Sequence, residues 1–431
     1  MGKRACCLLL KILLAFILTV FTTGYPKVAW SAQINPENII LTWTGDTRTT
    51  QAITWQSTGT VLNQLQYMVA GVRKDFQPPV KTIMAKEEPL PLTGFDKVIY
   101  TVEISDLKPG TRYFYRIGNG KDWGDVHVFQ TAANNVKQFK FLVFGDSQSE
   151  SYNTWHTTIQ QAYRLHHDAV FFTNVGDLVD VGNDEKEWEE WLAAVNGIAD
   201  TLPAMPLTGN HEMYTPQWKV NTTPALFMAH FQLPRNGPDG LQEQVYSFDY
   251  GNVHFVMLNS QEREEGQFVP AMLAKQRDWL DRDLARSDKL WKVIFIHRPP
   301  YHTKSAKSNE NIRQVFVPVL DKYKADLVFA GHEHVYARTY PLYADKIADG
   351  AVSGTVYITT GRSGEKVYGK AAANDWNEVF YNPVDQANYL SVEVRGDVLT
   401  VKAWKQNGEL IDAWTRSKYR EKAMSRFFGI R

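Results

Sequence analysis

Seven short, almost unbroken apolar runs beginning after Asn135 constrain this chain more than any other feature: 139–144, 169–175, 204–208, 253–258, 292–296, 327–330 and 356–360. A strand reads as continuously apolar when both of its faces are buried, as in sheets covered by helices. Helical stretches fall between several runs, at 152–166, 185–198 and, most clearly, 270–287. In the last of these, Leu273, Trp279, Leu280 and Leu284 recur near helical spacing behind Pro270. Buried strands alternating with helices predict an α/β domain, and residues 389–404 and 410–414 are expected to close its sheet as antiparallel strands.

Polar residues collect where these runs stop. Five endings read Gly145-Asp146-Ser147-Gln148, Gly176-Asp177-Leu178-Val179-Asp180, Gly209-Asn210-His211-Glu212, Ile296-His297-Arg298-Pro299-Pro300-Tyr301-His302 and Gly331-His332-Glu333-His334. Open α/β sheets place their ligands outside the C-terminal ends of the strands. In four of the five a glycine precedes the polar group, which lets the backbone turn sharply and approach an ion. A phosphate ester is anionic and resists attack; two cations roughly 3.5 to 4 Å apart neutralise it, acidify a bound water and steady the leaving oxygen. Asp177 is the candidate shared carboxylate, with Asp146, Asn210, His297, His332 and His334 as further ligands. Oxygen and imidazole donors suit Fe, Mn or Zn. His211, next to Asn210, stands where a proton donor to the leaving group is needed. Arg298, Tyr301 and Arg338 are candidates for substrate contact or, equally, for pairing with structural carboxylates.

Ahead of this region the pattern is different. From about 34 to 133, short alternating runs of aromatic and β-branched residues are broken by turns, which predicts an all-β sandwich of about seven strands. Leu107-Lys108-Pro109-Gly110-Thr111-Arg112-Tyr113 has the form of a tyrosine corner, a turn followed by a buried Tyr whose hydroxyl bonds back to the backbone.

Residues 1–31 combine Lys3 and Arg4 with an apolar run and end at Ala29-Trp30-Ser31, the pattern of a secretory signal peptide. Both cysteines, Cys6 and Cys7, lie inside it, so the mature chain would hold no thiol ligand, disulfide or thiol nucleophile. Removal takes four basic residues from 47 and leaves 43 against 47 acidic. A mildly acidic balance excludes nucleic acid as principal partner; the expected partner is a small phosphate ester and the expected location secreted or cell-envelope. The segment 415–431 is locally basic and would be either a solvated tail or a weak contact for an anionic surface.

The five endings together resemble those of the calcineurin-like metallophosphoesterase superfamily. With the β-rich N-terminal region they resemble purple acid phosphatases, whose first domain is similar to fibronectin type III. The passages Tyr246-Ser247-Phe248-Asp249-Tyr250-Gly251-Asn252-Val253-His254-Phe255 and Gln276-Arg277-Asp278-Trp279-Leu280 carry the resemblance further. It implies an all-β sandwich at 32–134 followed by a four-layer α/β/β/α domain at 135–414. It implies that Asp146, Asp177 and His334 hold one ion while Asp177, Asn210, His297 and His332 hold the other. His211 would be the general acid and His302 a phosphate-side contact. The chain departs from the pattern at the first ion. Gln148 stands where many members have His, and Asp180 where purple acid phosphatases have a metal-bound Tyr, so weaker binding and no tyrosinate colour are expected. Other members with Asp at that position use it to orient the catalytic His, which implies an Asp180–His211 pair. The expected activity is hydrolysis of phosphate monoesters by a metal-bound water or hydroxide. A phosphodiesterase acting on nucleotides or lipid head groups, or a catalytically weak surface-binding protein, remains open. The remaining histidines are read as structural, with His254 a hydrogen-bonded core residue and His127 on a strand of the first domain.

Overall fold

The computed structural model describes residues 36–71, 76, 78–303, 309–349 and 353–419. The expected leader and residues 420–431 of the basic segment lie outside them. Among the described residues the N-terminal part is a sandwich of two four-stranded antiparallel sheets, eight strands where about seven were expected. One sheet runs Glu37–Thr42, Gln51–Thr58, Lys97–Ile104, Lys86–Pro89; the other runs Lys81–Met84, Gln64–Val69, Arg112–Gly118, His127–Gln130. Trp55 stacks on Tyr100 at 5.6 Å inside the module. The tyrosine corner forms, with the Lys108 amide donating to the Tyr113 hydroxyl at 2.8 Å.

Apolar, backbone and charged contacts fasten this sandwich to the larger C-terminal part of the chain. Trp43 packs on Phe171, Phe248 and Tyr250 at 5.6 to 5.8 Å. The Leu41 amide donates to the Ala199 carbonyl and the Ala204 amide to the Leu41 carbonyl, both at 2.8 Å. Lys97 reaches Glu185 at 2.7 Å and Glu189 at 2.6 Å, with Glu185 fully buried. His127 pairs with Asp200 at 2.8 Å, in keeping with a structural role.

The C-terminal part has four layers. One sheet orders Ala169–Asn174, Gln138–Phe144, Asn388–Arg395, Val398–Lys405 and Leu410–Ser417. The other orders Tyr246–Tyr250, Val253–Leu258, Trp291–Ile296, Leu327–Ala330, Val356–Thr360, Tyr336–Thr339 and Asn377–Tyr381. Phe141, Phe171, Phe255, Phe295 and Phe329 fill the space between the sheets, with successive rings 4.9 to 6.3 Å apart. Helices Asn153–Leu165 and Glu185–Ala194 pack together on one side. On the other, Met272–Arg286 and Glu310–Lys322 cover the larger sheet through Leu280, Leu284, Phe316 and Leu320.

Several expectations need correction. Residues 204–208 form no regular strand: Ala204 and Leu207 make single parallel bridges to Phe172 and Val175, because Pro203 and Pro206 lack the N–H a ladder needs. The helix expected over 185–198 ends at Ala194, and Gly197 turns the chain at φ 75°. Helix Glu310–Lys322 gave no clear sequence signal, since Pro318 sits inside it. The basic segment is not a free tail from 415: the last strand runs to Ser417, Arg416 is buried against the Asp326 and Gly354 carbonyls, and Lys418 pairs with Asp326. His254 is held between Asp249 and Asp283, both at 2.8 Å, as expected of a core histidine.

Candidate metal centre

The strand ends put the polar endings on one rim of the two sheets. Two groups of side chains each bring their ligand atoms within 4.8 Å of one another: Asp177, His297 and His332, and Asp146, Asp177 and His334. Asp177 belongs to both, which is the arrangement a carboxylate shared by two ions requires. Four of these residues hold positive φ, Asp146 at 49°, Asp177 at 53°, His332 at 72° and His334 at 53°. Such backbone is costly for residues with a Cβ and persists where surrounding structure dictates it, most often at functional sites. The preceding glycines permit the crowding. A Cβ on Gly176, itself at φ 93°, would lie 2.6 Å from His297 Nδ1, and one on Gly209 would lie 2.1 Å from Asp177 Oδ1.

Hydrogen bonds set the ring orientations. His297 Nδ1 donates to the Val175 carbonyl at 2.8 Å, leaving Nε2 facing Asp177 Oδ2 at 3.1 Å and Asn210 Oδ1 at 3.3 Å. His334 Nδ1 donates to the Lys366 carbonyl at 2.8 Å and turns its Nε2 to within 3.3 Å of Asp146 Oδ1. A backbone carbonyl on one nitrogen and a free lone pair on the other is how metal-binding imidazoles are held. The His332 amide donates to both Asp146 oxygens at 2.9 Å, and the His211 amide to Asp177 Oδ1 at 2.9 Å. Burial alone would raise the Asp177 pKa, yet His297, His211 and His332 hold it well below the usual carboxylate range.

Two buried atoms point to cations. Among the described residues, Gln148 Oε1 and His334 Nε2 have no hydrogen-bond partner, and both residues are almost fully buried. An orphaned acceptor there is costly unless a cation satisfies it. The donor set of carboxylate, amide and imidazole therefore fits a dinuclear centre, with Gln148 beside Asp177 Oδ2 at 3.4 Å.

Glu212 underlies the centre. Its Oε2 accepts from the Asp177 amide at 2.9 Å and the Gly209 amide at 2.5 Å, and its Oε1 from Leu178 at 2.7 Å and Val179 at 3.3 Å. One carboxylate thus ties the Asp177 turn to the Asn210 turn. Burial and the charge of Asp177 push its pKa up, against the pull of those amides.

Beside the centre, His211 Nδ1 donates to the Asp180 carbonyl at 2.6 Å and lies 3.1 Å from Asp180 Oδ1, while Lys366 pairs with the same carboxylate. Burial would lower the His211 pKa, but Asp177 and Asp180 push it up to about 9. The Asp180 turn is itself held by Glu187, which accepts from the Asp180 amide at 2.6 Å and the Val181 amide at 3.0 Å.

The candidate substrate contacts are less available. Arg298 is buried in a two-bond pair with Glu264, each bond 2.8 Å. Arg338 is committed to Asp412 and Glu378, and the Tyr301 hydroxyl donates to Asp345 at 2.8 Å. All three sit as the structural alternative describes. His302 stacks on Trp376 at 5.9 Å, and its Nδ1 has no partner among the described residues. Sequence reasoning passed over Glu187, Lys366, Tyr368, whose ring lies 4.3 Å from that of His334, and the role of Glu212. Only Glu212 carried a signal, its place in the third strand ending.

Comparisons with known proteins agree with this architecture. Residues 139–336 match the family profile described as calcineurin-like phosphoesterase, and residues 36–131 match that of the purple acid phosphatase N-terminal domain. The chain therefore carries a calcineurin-like metallophosphoesterase domain behind a purple acid phosphatase N-terminal domain, and its relatives are purple acid phosphatases. Among them is purple acid phosphatase 21 of Arabidopsis thaliana, 31% identical over 273 residues that cover 62% of this chain and 59% of that one. Acid phosphatase type 7 of Mus musculus is 24% identical over 81% of this chain and 82% of its own. The structure of purple acid phosphatase PPD1 from yellow lupin superposes with a TM-score of 0.75 at 19% identity, covering 90% of this chain and 75% of that one, which shows the shared fold. The chain thus spans about three fifths of the length of the plant relative.

Proposed function

We propose that this protein hydrolyses phosphate esters, monoesters foremost, at a dinuclear metal centre. The observation that carries the reading is the shared position of Asp177 in two ligand groups. Asp146, Asp177, His334 and Gln148 would hold one cation, and Asp177, Asn210, His297 and His332 the other. Bound cations supply charge neutralisation of the phosphate and acidification of water. The chain's own residues do the rest. Glu212 fixes the turns that carry Asp177 and Asn210. Asp180 fixes the tautomer of His211, leaving Nε2 to give a proton to the departing alkoxide or phenoxide. The positive charge of His211 is opposed by burial and sustained by Asp177 and Asp180. The names of the relatives support a phosphatase.

The test is turnover of an aryl phosphate monoester and its matching diester by wild type and Asn210→Ala. Turnover that favours the monoester and collapses in the variant sustains the reading; equal rates in both proteins overturn it. We further read the protein as exported, on the charged-then-apolar leader in residues 1–31. A mature N-terminus near Ala32 in the secreted fraction tests that.

A further inference from the structure

Trp218 is an exposed tryptophan, 57% accessible, whose backbone sits at φ 56°. A bulky residue in that region is a genuine outlier, and a large apolar side chain so open to water gains nothing for folding. Its position is nevertheless fixed. The Trp218 amide donates to the Thr215 carbonyl at 2.8 Å, the Thr215 amide to the Lys219 carbonyl at 2.9 Å, and the Asn221 amide to the Met213 carbonyl at 2.7 Å. Tyr214 and Val220 close the base of this short loop as a β-bridge. The ring lies 5.9 Å from that of His211, edge to face, and 5.7 Å from that of Tyr214. Tyr214 is also edge-on to His211, at 5.8 Å, and its hydroxyl donates to Glu264 at 3.2 Å.

These two rings therefore form an aromatic wall against the one residue that addresses the leaving group. With His211 Nδ1 committed to Asp180, the proton leaves from Nε2, and whatever accepts it must lie beside the same ring that Tyr214 and Trp218 flank. We propose that Trp218 is a specificity-determining residue whose exposed face stacks on the leaving group, selecting phosphomonoesters whose leaving group carries a planar aromatic ring. This rests on the phosphoesterase reading. Flat π-systems gain from such a platform whatever their hydrogen-bonding pattern, whereas short alkyl groups do not.

The experiment compares kcat/KM for naphthyl phosphate, adenosine monophosphate, glucose 6-phosphate and ethyl phosphate in wild type, Trp218→Ala and Trp218→Phe. The naphthyl-to-ethyl ratio should fall about tenfold in Trp218→Ala and be retained in Trp218→Phe. A matching fall for adenosine monophosphate identifies a nucleoside source, and a fall for naphthyl phosphate alone a phenolic one. An unchanged naphthyl-to-ethyl ratio, or an equal fall for glucose 6-phosphate, overturns the proposal. If wild type turns over none of the four, the phosphoesterase reading fails, and binding of naphthyl against ethyl phosphonate to the metal-loaded proteins decides this one. Selective loss of naphthyl phosphonate affinity in Trp218→Ala sustains the stacking site; equal affinities in the two proteins remove it.

Discussion

Replacing Glu212 with glutamine keeps the shape of the side chain and changes only what its second oxygen can accept. Each carboxylate oxygen takes two backbone N–H groups, Asp177 with Gly209 on one and Leu178 with Val179 on the other. An amide offers a single acceptor oxygen, so either orientation turns an NH2 group toward one of these pairs. Two buried donors lose their acceptor at about 1 to 3 kcal/mol each, a total of about 2 to 6 kcal/mol. Because the affected turns carry Asp177 and Asn210, metal affinity should also fall, by about 10- to 100-fold. Denaturant unfolding of the metal-free proteins measures the first effect and titration with Mn or Zn the second. Unchanged stability together with unchanged metal affinity would refute the claim that Glu212 ties the two turns. Lower stability with wild-type affinity would reduce it to a brace of the fold.

Three other contacts set expectations of their own. Asp180→Asn keeps the backbone acceptor of His211 but removes the charge, so kcat on an aryl phosphate should fall roughly tenfold or more with little change in KM; an unaltered kcat would contradict the pairing. Lys97→Met leaves the fully buried Glu185 without its cation and should cost about 3 to 5 kcal/mol in unfolding experiments, whereas wild-type stability would mean that the sandwich is not anchored there. His254, pushed up to about 9 by Asp249 and Asp283 although burial opposes it, should stabilise the fold by up to about 3 kcal/mol below pH 6.5. Because the folded-state pKa is the raised one, that contribution disappears as pH rises through about 9, and comparison with His254→Leu across pH should show the gap closing.

The parts of the fold legible in the sequence were those fixed by local pattern. Continuous apolar runs marked the strands Val253–Leu258 and Leu327–Ala330 at their observed bounds, because strands buried on both faces admit almost nothing else. The turn before Tyr113 foretold the bond from the Lys108 amide to its hydroxyl because both partners lie within five residues of each other. Prolines defeated the reading in both directions: Pro318 hid the helix that contains it, and Pro203 and Pro206 kept the apolar run 204–208 from forming the expected ladder strand. At the site, glycine followed by a polar residue at a strand end was a local signal, and Asp146, Asp177, His332 and His334, marked in that way, fall in the two ligand groups. Glu187, Lys366 and Trp218 left no such mark. Lys366 reaches Asp180 from 186 residues away in the sequence, while Glu187, only 7 residues from Asp180, meets its backbone amide through a turn that no motif announces. The arginines stayed open for a related reason: the sequence does not say which carboxylate will be nearest, and for Arg298 it is Glu264 and for Arg338 Asp412.

The most direct test of the dinuclear account is elemental analysis of the protein as purified, beside Asp177→Ala and His334→Ala. Asp177 serves both ligand groups and His334 only one. The account predicts two equivalents of metal in wild type, about one in His334→Ala and essentially none in Asp177→Ala. A wild-type content of one equivalent or less, or an Asp177→Ala protein that still holds as much metal as His334→Ala, would contradict it.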